Sequence, residues 1–380
     1  MKYMGSKRVM LQNGLGSLIL EESRKAKRIV DLFCGAGSVV GFAARETSLP
    51  VLAIDLQHYS IVLAKSILGR VSSISSEDIG KKWLTRVDKD RSASLLWKKA
   101  RKLSLKIDMR SVRRYVETCR HLCQDESKIG PIWNAYGGYY FSPEQALTFD
   151  YLLRDLPNDD TEKMVCQATI IIAAMRCVAS PGHTAQPFQP TPTAKKYIIQ
   201  SWKRDPLEVC KRVLKVVCAQ YAKTLGDAYV ADAVSEARNL KPTDLVIVDP
   251  PYSGVQYSRF YHVLETLARG FCGPVSGVGR YPVIAERPQS DFSNAGQSKQ
   301  ALIKLLSNLS RSGSTVIFTF PEGVCSNALS GEMIFEEAMQ YFTIDKKIIR
   351  GKFSTLGGNK EKRASRKDSS ELILLMRCSS

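Results

Sequence analysis

The sequence predicts an α/β fold in which an open sheet is interrupted by a long helical insertion. Three observations predict it. Strand-like and helix-like stretches alternate over residues 1–70 and again from 221 onward. Short apolar runs in both stretches end in an acid, at Asp55, Asp232 and Asp249, while residues 71–220 read mostly as helix. A length of 380 residues suits two domains, or one large domain with an insertion.

Composition narrows the class. Lys and Arg number 55 against 37 Asp and Glu, a net charge of +18 that points to a polyanionic partner. Ten cysteines are scattered without a paired framework, and no leader opens the run Met1-Lys2-Tyr3. No apolar stretch reaches the length of a membrane span, so a reducing cytoplasm is the expected compartment and no membrane partner is expected.

In chain order, Met1-Lys2-Tyr3-Met4-Gly5-Ser6-Lys7-Arg8 is a short polar turn carrying an aromatic and a lysine. An amphipathic helix through Leu15, Leu18 and Ile19 follows. Arg28-Ile29-Val30-Asp31-Leu32-Phe33-Cys34-Gly35-Ala36-Gly37-Ser38 reads as a strand, a tight glycine loop and a helix start capped by Ser38. Gly35 and Gly37 let the backbone approach a ligand. Val40 stands where a dinucleotide fingerprint would place its third glycine. The next strand, Pro50-Val51-Leu52-Ala53-Ile54-Asp55, ends in an acid 18 residues after Gly37, where such sheets hold a ribose hydroxyl pair. Loop and acid together suit an adenosine-containing cofactor.

The insertion reads as helix over 93–99, 112–116, 143–147 and 164–178. Residues 81–120 hold 14 Lys and Arg against 4 Asp and Glu, with Trp83, Trp97 and Tyr115 interleaved. That excess favours a phosphate-facing surface, with Lys98, Lys99, Arg110, Arg113 and Arg114 as candidate contacts. Two loops interrupt the helices. Tyr136-Gly137-Gly138-Tyr139-Tyr140-Phe141-Ser142 is aromatic and ends in a helix cap. Ser180-Pro181-Gly182-His183-Thr184-Ala185-Gln186-Pro187-Phe188 is dense in turn formers. Tyr139, His183 and Gln186 are candidates for reading base edges, although plain turns would use the same residues. Cys119, His121 and Cys123 spread around one helix with no second ligand pair, which argues against a metal.

The α/β rhythm resumes with Ala228-Tyr229-Val230-Ala231-Asp232. It continues through the buried run Asp244-Leu245-Val246-Ile247-Val248 into Asp249-Pro250-Pro251-Tyr252. Such an ending places polar groups at the carboxyl end of a central strand, where open α/β sheets bind ligands. The prolines supply no N–H and fix φ, so the loop is rigid and Asp249 is extended. It presents a carboxylate, two carbonyls and an aromatic face, which suit a flat nitrogen base with an exocyclic amine. A strand-ending turn with a surface tyrosine would carry the same residues, so the other segments decide. Helices are then expected through 257–268 and 298–309, separated by a polar loop over 277–294. A strand Thr315-Val316-Ile317-Phe318-Thr319-Phe320, a basic loop over 351–367 and a last strand from Glu371 to Met376 complete the chain.

Four pieces stand in one order: Tyr3-Met4-Gly5-Ser6-Lys7, Phe33-Cys34-Gly35-Ala36-Gly37-Ser38-Val39, Asp55 and Asp249-Pro250-Pro251-Tyr252. With them the chain resembles the Dam-like class of adenine-specific DNA methyltransferases, clearly over residues 1–65 and 225–270. The resemblance implies a Rossmann-like methyltransferase core, a mixed seven-stranded sheet with helices on both faces, built from 1–70 and 221–380. Residues 71–220 would then be a mainly helical, basic DNA-recognition domain. S-adenosylmethionine is the implied cofactor and double-stranded DNA the implied partner. The resemblance also admits a cognate restriction endonuclease and a homodimer.

Carried over residue by residue, Tyr3 and Lys7 match the N-terminal cofactor motif, and Asp31 is a further implied contact. The loop with Phe33, Gly35 and Gly37 would wrap the methionine part, Asp55 would hold the ribose, and Asp232 would lie beside the cofactor's adenine. Asp249, Pro250, Pro251 and Tyr252 are the implied catalytic residues, gripping an extruded base, with Asp249 also near the cofactor. Cys34 lies in the cofactor loop, which disfavours methylation of a cytosine ring carbon. Transfer to the cytosine exocyclic amine or to RNA involves similar amine geometry and stays open. A nicotinamide-dependent oxidoreductase is disfavoured by the missing glycine, the lack of a proton-donor constellation and the +18 charge.

Overall fold

The computed structural model describes residues 7–104, 111–126, 129–353 and 367–378. Its strands are β1 (Arg28–Asp31), β2 (Val51–Asp55), β3 (Asp227–Val230), β4 (Asp244–Val248), the short β5 (Val275–Ser276) and β6 (Tyr281–Pro282), β7 (Thr315–Pro321), β8 (Phe342–Phe353) and β9 (Lys367–Cys378). Seven of them form one sheet in the order β3-β2-β1-β4-β7-β9-β8. The first five in that order are parallel, and β9 runs antiparallel to both β7 and β8, so the sheet is mixed.

Alternation along the strands explains the layers, because successive side chains leave opposite faces of a sheet. Ile29, Leu245, Ile247 and Ile317 join one buried cluster with Ile19, Val40, Ala64 and Leu68 from the helices Gly16–Ser23, Ser38–Glu46 and His58–Leu68. Val30, Val246, Val248, Val316, Phe318 and Phe320 join the other, with Leu302, Leu305 and Leu309 of Ser298–Ser312 and Ile334 of Gly331–Met339. Both faces of the sheet are thus covered by helices. The helix Gly331–Met339 and strand β8 are additions to the expected elements. The ends of the expected loop over 351–367 are strand, since β8 extends to Phe353 and β9 starts at Lys367.

The chain forms two compact units. The sheet unit holds Met4–Val71, Tyr221–Tyr257 and Pro288–Ser380, and the helical unit holds Ser72–Gln220 together with Ser258–Arg287. The segment 258–287, placed in the core by the sequence, therefore packs with the insertion. Its His262 explains why: the imidazole is buried 3.1 Å from the Tyr136 hydroxyl and 3.3 Å from that of Tyr140.

In the helical unit Leu95–Ser104, Val112–Asp125, Pro143–Arg154, Asp160–Cys177 and Pro206–Cys218 are the main helices. Ser142 caps Pro143–Arg154 as expected: Gln145 N–H donates to Ser142 Oγ at 3.2 Å, and Ser142 N–H donates back to Gln145 Oε1 at 3.1 Å. The expected cap at Ser38 is replaced. Gly37, left-handed at φ 71°, takes the N-cap position, and Ser38 is the first helical residue. Trp83, Trp97 and Tyr115, read as aromatics on a phosphate-facing surface, are buried instead. Trp83 Nε1 donates to Leu152 O and Trp97 Nε1 to Thr148 Oγ1, so these rings are core with satisfied polar ends. Among the described residues no helix is long and apolar enough to cross a membrane.

Candidate active site

The fully buried strand β4 lies between β1 and β7 and delivers Asp249 to the carboxyl edge of the sheet. There Lys7 Nζ stands 2.9 Å from Asp249 Oδ1 and 3.1 Å from Glu371 Oε2, with only 4% of its side chain exposed. The Thr319 hydroxyl donates to Asp249 Oδ1 at 3.0 Å. Glu371 reaches this edge because β9 is antiparallel to β7, pairing Glu371 with Pro321. Burial by itself works against the Lys7 ammonium, but Asp249 and Glu371 outweigh it and hold its pKa above the ordinary lysine range. Burial likewise raises the Asp249 carboxyl, with Lys7 and Thr319 pulling it back.

The loop after Asp249 is pinned from the segment following β7. The buried Asn327 amide donates to Pro251 O at 2.9 Å and to Phe292 O at 3.0 Å, and Gly254 N–H donates to Ser326 Oγ at 2.9 Å. Pro250 is buried next to Asp249, and no hydrogen bond to its carbonyl is found among the described residues. Tyr252 is half-buried and sits edge-on to Tyr257 at 6.4 Å.

The glycine loop adjoins this edge through β1 and β2. Gly35 and Gly37 both have positive φ, 49° and 71°, which a side chain would strain. A Cβ at Gly37 would meet nothing within 4 Å, so backbone conformation and not crowding demands the glycine, and space lies open beside it. Asp55 organises the loop, accepting Gly35 N–H at 2.8 Å and Gln57 N–H at 2.9 Å on its two oxygens. Asp31 is buried and accepts Phe33 N–H at 3.2 Å. Burial pushes its carboxyl up to about 8, opposed by that N–H and reinforced by the charges of Asp249 and Asp55. Phe33 packs edge-on to Phe292. Burial raises the Cys34 thiol, so it is no ready nucleophile. Asp232 is exposed and caps the short helix Ala233–Glu236, accepting Ser235 N–H at 2.9 Å. Tyr3 lies outside the described residues.

In the helical unit Lys98, Lys99, Arg113 and Arg114 are exposed on the same helices that bury Trp97 and Tyr115. Lys99 lies 3.5 Å from Glu126. Arg110 lies outside the described residues. Tyr139 is half-buried beneath two guanidiniums, those of Arg120 and Arg280, at 4.3 and 4.5 Å from its ring centre. His183 serves its own turn: its ring nitrogen accepts Ala185 N–H, its ring meets Phe260, and burial lowers its pKa. Gln186 is exposed. Sequence reasoning missed Glu371, Thr319, Asn327, Arg120 and Arg280. Only Glu371 carried a signal, an acid at the head of an apolar run.

A mixed seven-stranded sheet in this order, helices on both faces and a polar cluster at its carboxyl edge define a Rossmann-like methyltransferase core. Residues 3–122 match the model of the D12 class N6 adenine-specific DNA methyltransferase family. The match bears out the family resemblance carried by the motifs and supports a methyltransferase acting on adenine in DNA. It ends well before Asp249, so the Asp-Pro-Pro-Tyr segment adds to it independently. No curated protein matches the chain.

Proposed function

We propose that the protein moves the methyl group of S-adenosylmethionine to the exocyclic amine of an adenine extruded from duplex DNA. The observation that carries this reading is Asp249, held by Lys7 and Thr319 at the start of a pinned loop that also carries the Pro250 carbonyl and the half-buried Tyr252 ring. The donor set at the sheet edge also fits the cofactor. Burial first, and the charges of Asp249 and Asp55 after it, hold the proton on Asp31, and the acids at this edge form a setting that favours a positively charged ligand. Asp31, Asp55 and the loop at Gly35 and Gly37 would hold it. When bound, S-adenosylmethionine supplies an electrophilic methyl group on a cationic sulfur.

A base inside a duplex cannot reach such a methyl group, so the adenine must leave the stack. Tyr252 would then stack on its ring, worth about 1–3 kcal/mol by analogy with single-strand platforms. Asp249 and the Pro250 carbonyl accept the two amine hydrogens, draw the nitrogen lone pair out of conjugation and aim it for in-line attack. The carboxylate offsets the positive charge that develops on nitrogen, and Lys7 and Thr319 fix its position beforehand. Lys98, Lys99, Arg113 and Arg114, with Tyr139 and Gln186, would face the duplex.

The test is transfer from labelled S-adenosylmethionine to mixed-sequence duplex DNA, followed by nucleoside identification. Label is expected in the N6-methylated deoxyadenosine. Asp249→Ala should lower transfer by about 10²–10³-fold with duplex binding kept. Label in the cytosine nucleoside moves the substrate, and transfer retained by Asp249→Ala sinks the assignment.

A further inference from the structure

The helical unit gathers four arginines around two tyrosines. Arg120 and Arg280 share the Tyr139 ring, and neither stands within ion-pair distance of a described carboxylate. Arg259 and Arg287 lie 4.7 and 5.7 Å from the centre of Tyr281, the residue next to Arg280. The backbone fixes the first pair. Arg120 Nε donates to Gly138 O at 3.2 Å, while Arg280 Nε donates to Ala135 O at 2.8 Å and its Nη2 to Asn134 O at 3.2 Å. The outer N–H groups of both forks remain for another acceptor. Arg280 is also one of two described non-glycine residues with positive φ, at 53°, a conformation that a long side chain adopts only when its surroundings impose it.

A buried network imposes it here. The Tyr140 hydroxyl lies 2.6 Å from Thr184 O and 2.9 Å from Gly279 O, and Tyr136 lies 2.9 Å from Thr266 Oγ1. His262 joins both tyrosines. Burial and the Arg280 charge lower the Arg120 pKa, against the pull of Tyr139 and Glu117, so Arg120 is strained in charge where Arg280 is strained in backbone. Planar forks stacked on an aromatic ring and short of anions match the geometry of phosphate oxygens.

We propose that Arg120 and Arg280, stacked on Tyr139, form a clamp for the backbone phosphates of the nucleic acid. The proposal rests on a nucleic-acid partner but not on methyl transfer. It also gives Tyr139 a different part from base reading, because its ring already carries the two guanidiniums.

The experiment is fluorescence anisotropy of a labelled mixed-sequence duplex, and of a single-stranded RNA, across a salt series. For the duplex, Arg120→Gln and Arg280→Gln should each weaken binding several-fold. Each should also reduce the steepness of log K against log salt by about one phosphate's share. Arg280→Lys keeps the charge and loses the stack, so it should hold the slope and lose affinity. Arg238→Gln, an exposed arginine of the sheet unit, should change neither. Slopes and affinities unchanged in both glutamine variants, with native melting, overturn the clamp and leave the methyltransferase reading standing. The same losses on RNA with no duplex binding support the clamp and sink the duplex. No binding of either by the wild-type chain overturns both.

Discussion

At the edge of the sheet, Lys7 is enclosed by Asp249 and Glu371 within 3.1 Å, and three aspartates crowd the same margin. In the helical unit, Arg120 and Arg280 share one tyrosine, and no described carboxylate stands within ion-pair distance of either. One site is built from acids with an internal cation, the other from cations without an internal anion. Buried charge is tolerated when it is paired, and exposed or half-buried charge when water screens it. The difference therefore separates a site completed from within from one that a polyanion would complete.

The comparison breaks most visibly at Lys7. Lys7→Ala leaves two buried carboxylates without their cation and should cost about 3–5 kcal/mol of stability in denaturant titrations. Adding Glu371→Gln should recover part of it. Full stability in Lys7→Ala would show that the triad is not held together by charge.

Asp31 gives a pH test of the same edge. Folded, its carboxyl keeps its proton up to about 8, whereas its ordinary value is 3.8. Between those values the folded state binds more protons than the unfolded one, so this group's contribution to stability falls as pH rises. Unfolding free energies of Asp31→Asn from pH 5 to 8 should decline less than those of the wild type. An equal decline would assign the effect elsewhere.

On the arginine side, Arg113→Glu with Arg114→Glu should flatten the salt dependence of duplex binding, and an unchanged slope would return that helix face to solvent. The smallest effect is expected at Ser142→Ala, which opens the capping box at Pro143–Arg154 and should cost about 1 kcal/mol by chemical denaturation, with transfer unaffected.

The position of Asp249 was legible because a strand buried on both faces reads as a continuous apolar run, and residues 245–248 are one. Gly35 and Gly37 were legible for a similar local reason: positive φ selects glycine whatever surrounds it. The aromatics of the insertion misled, because Trp83, Trp97 and Tyr115 look alike in sequence whether they face a phosphate or a core. Helical packing alone turned them inward and left Lys98, Lys99, Arg113 and Arg114 outside.

By itself, then, the sequence determined strands β1, β2, β3, β4, β7 and β9, the left-handed glycines and the Asp-Pro-Pro-Tyr ending, since each depends on neighbours within a few residues. The ion triad joins positions 7, 249 and 371, and the shared tyrosine joins 120, 139 and 280. No local preference encodes separations of that size. Sheet order brought Glu371 to the carboxyl edge of the sheet through one antiparallel strand, and the His262 network gathered the segments around Tyr139 and Arg280.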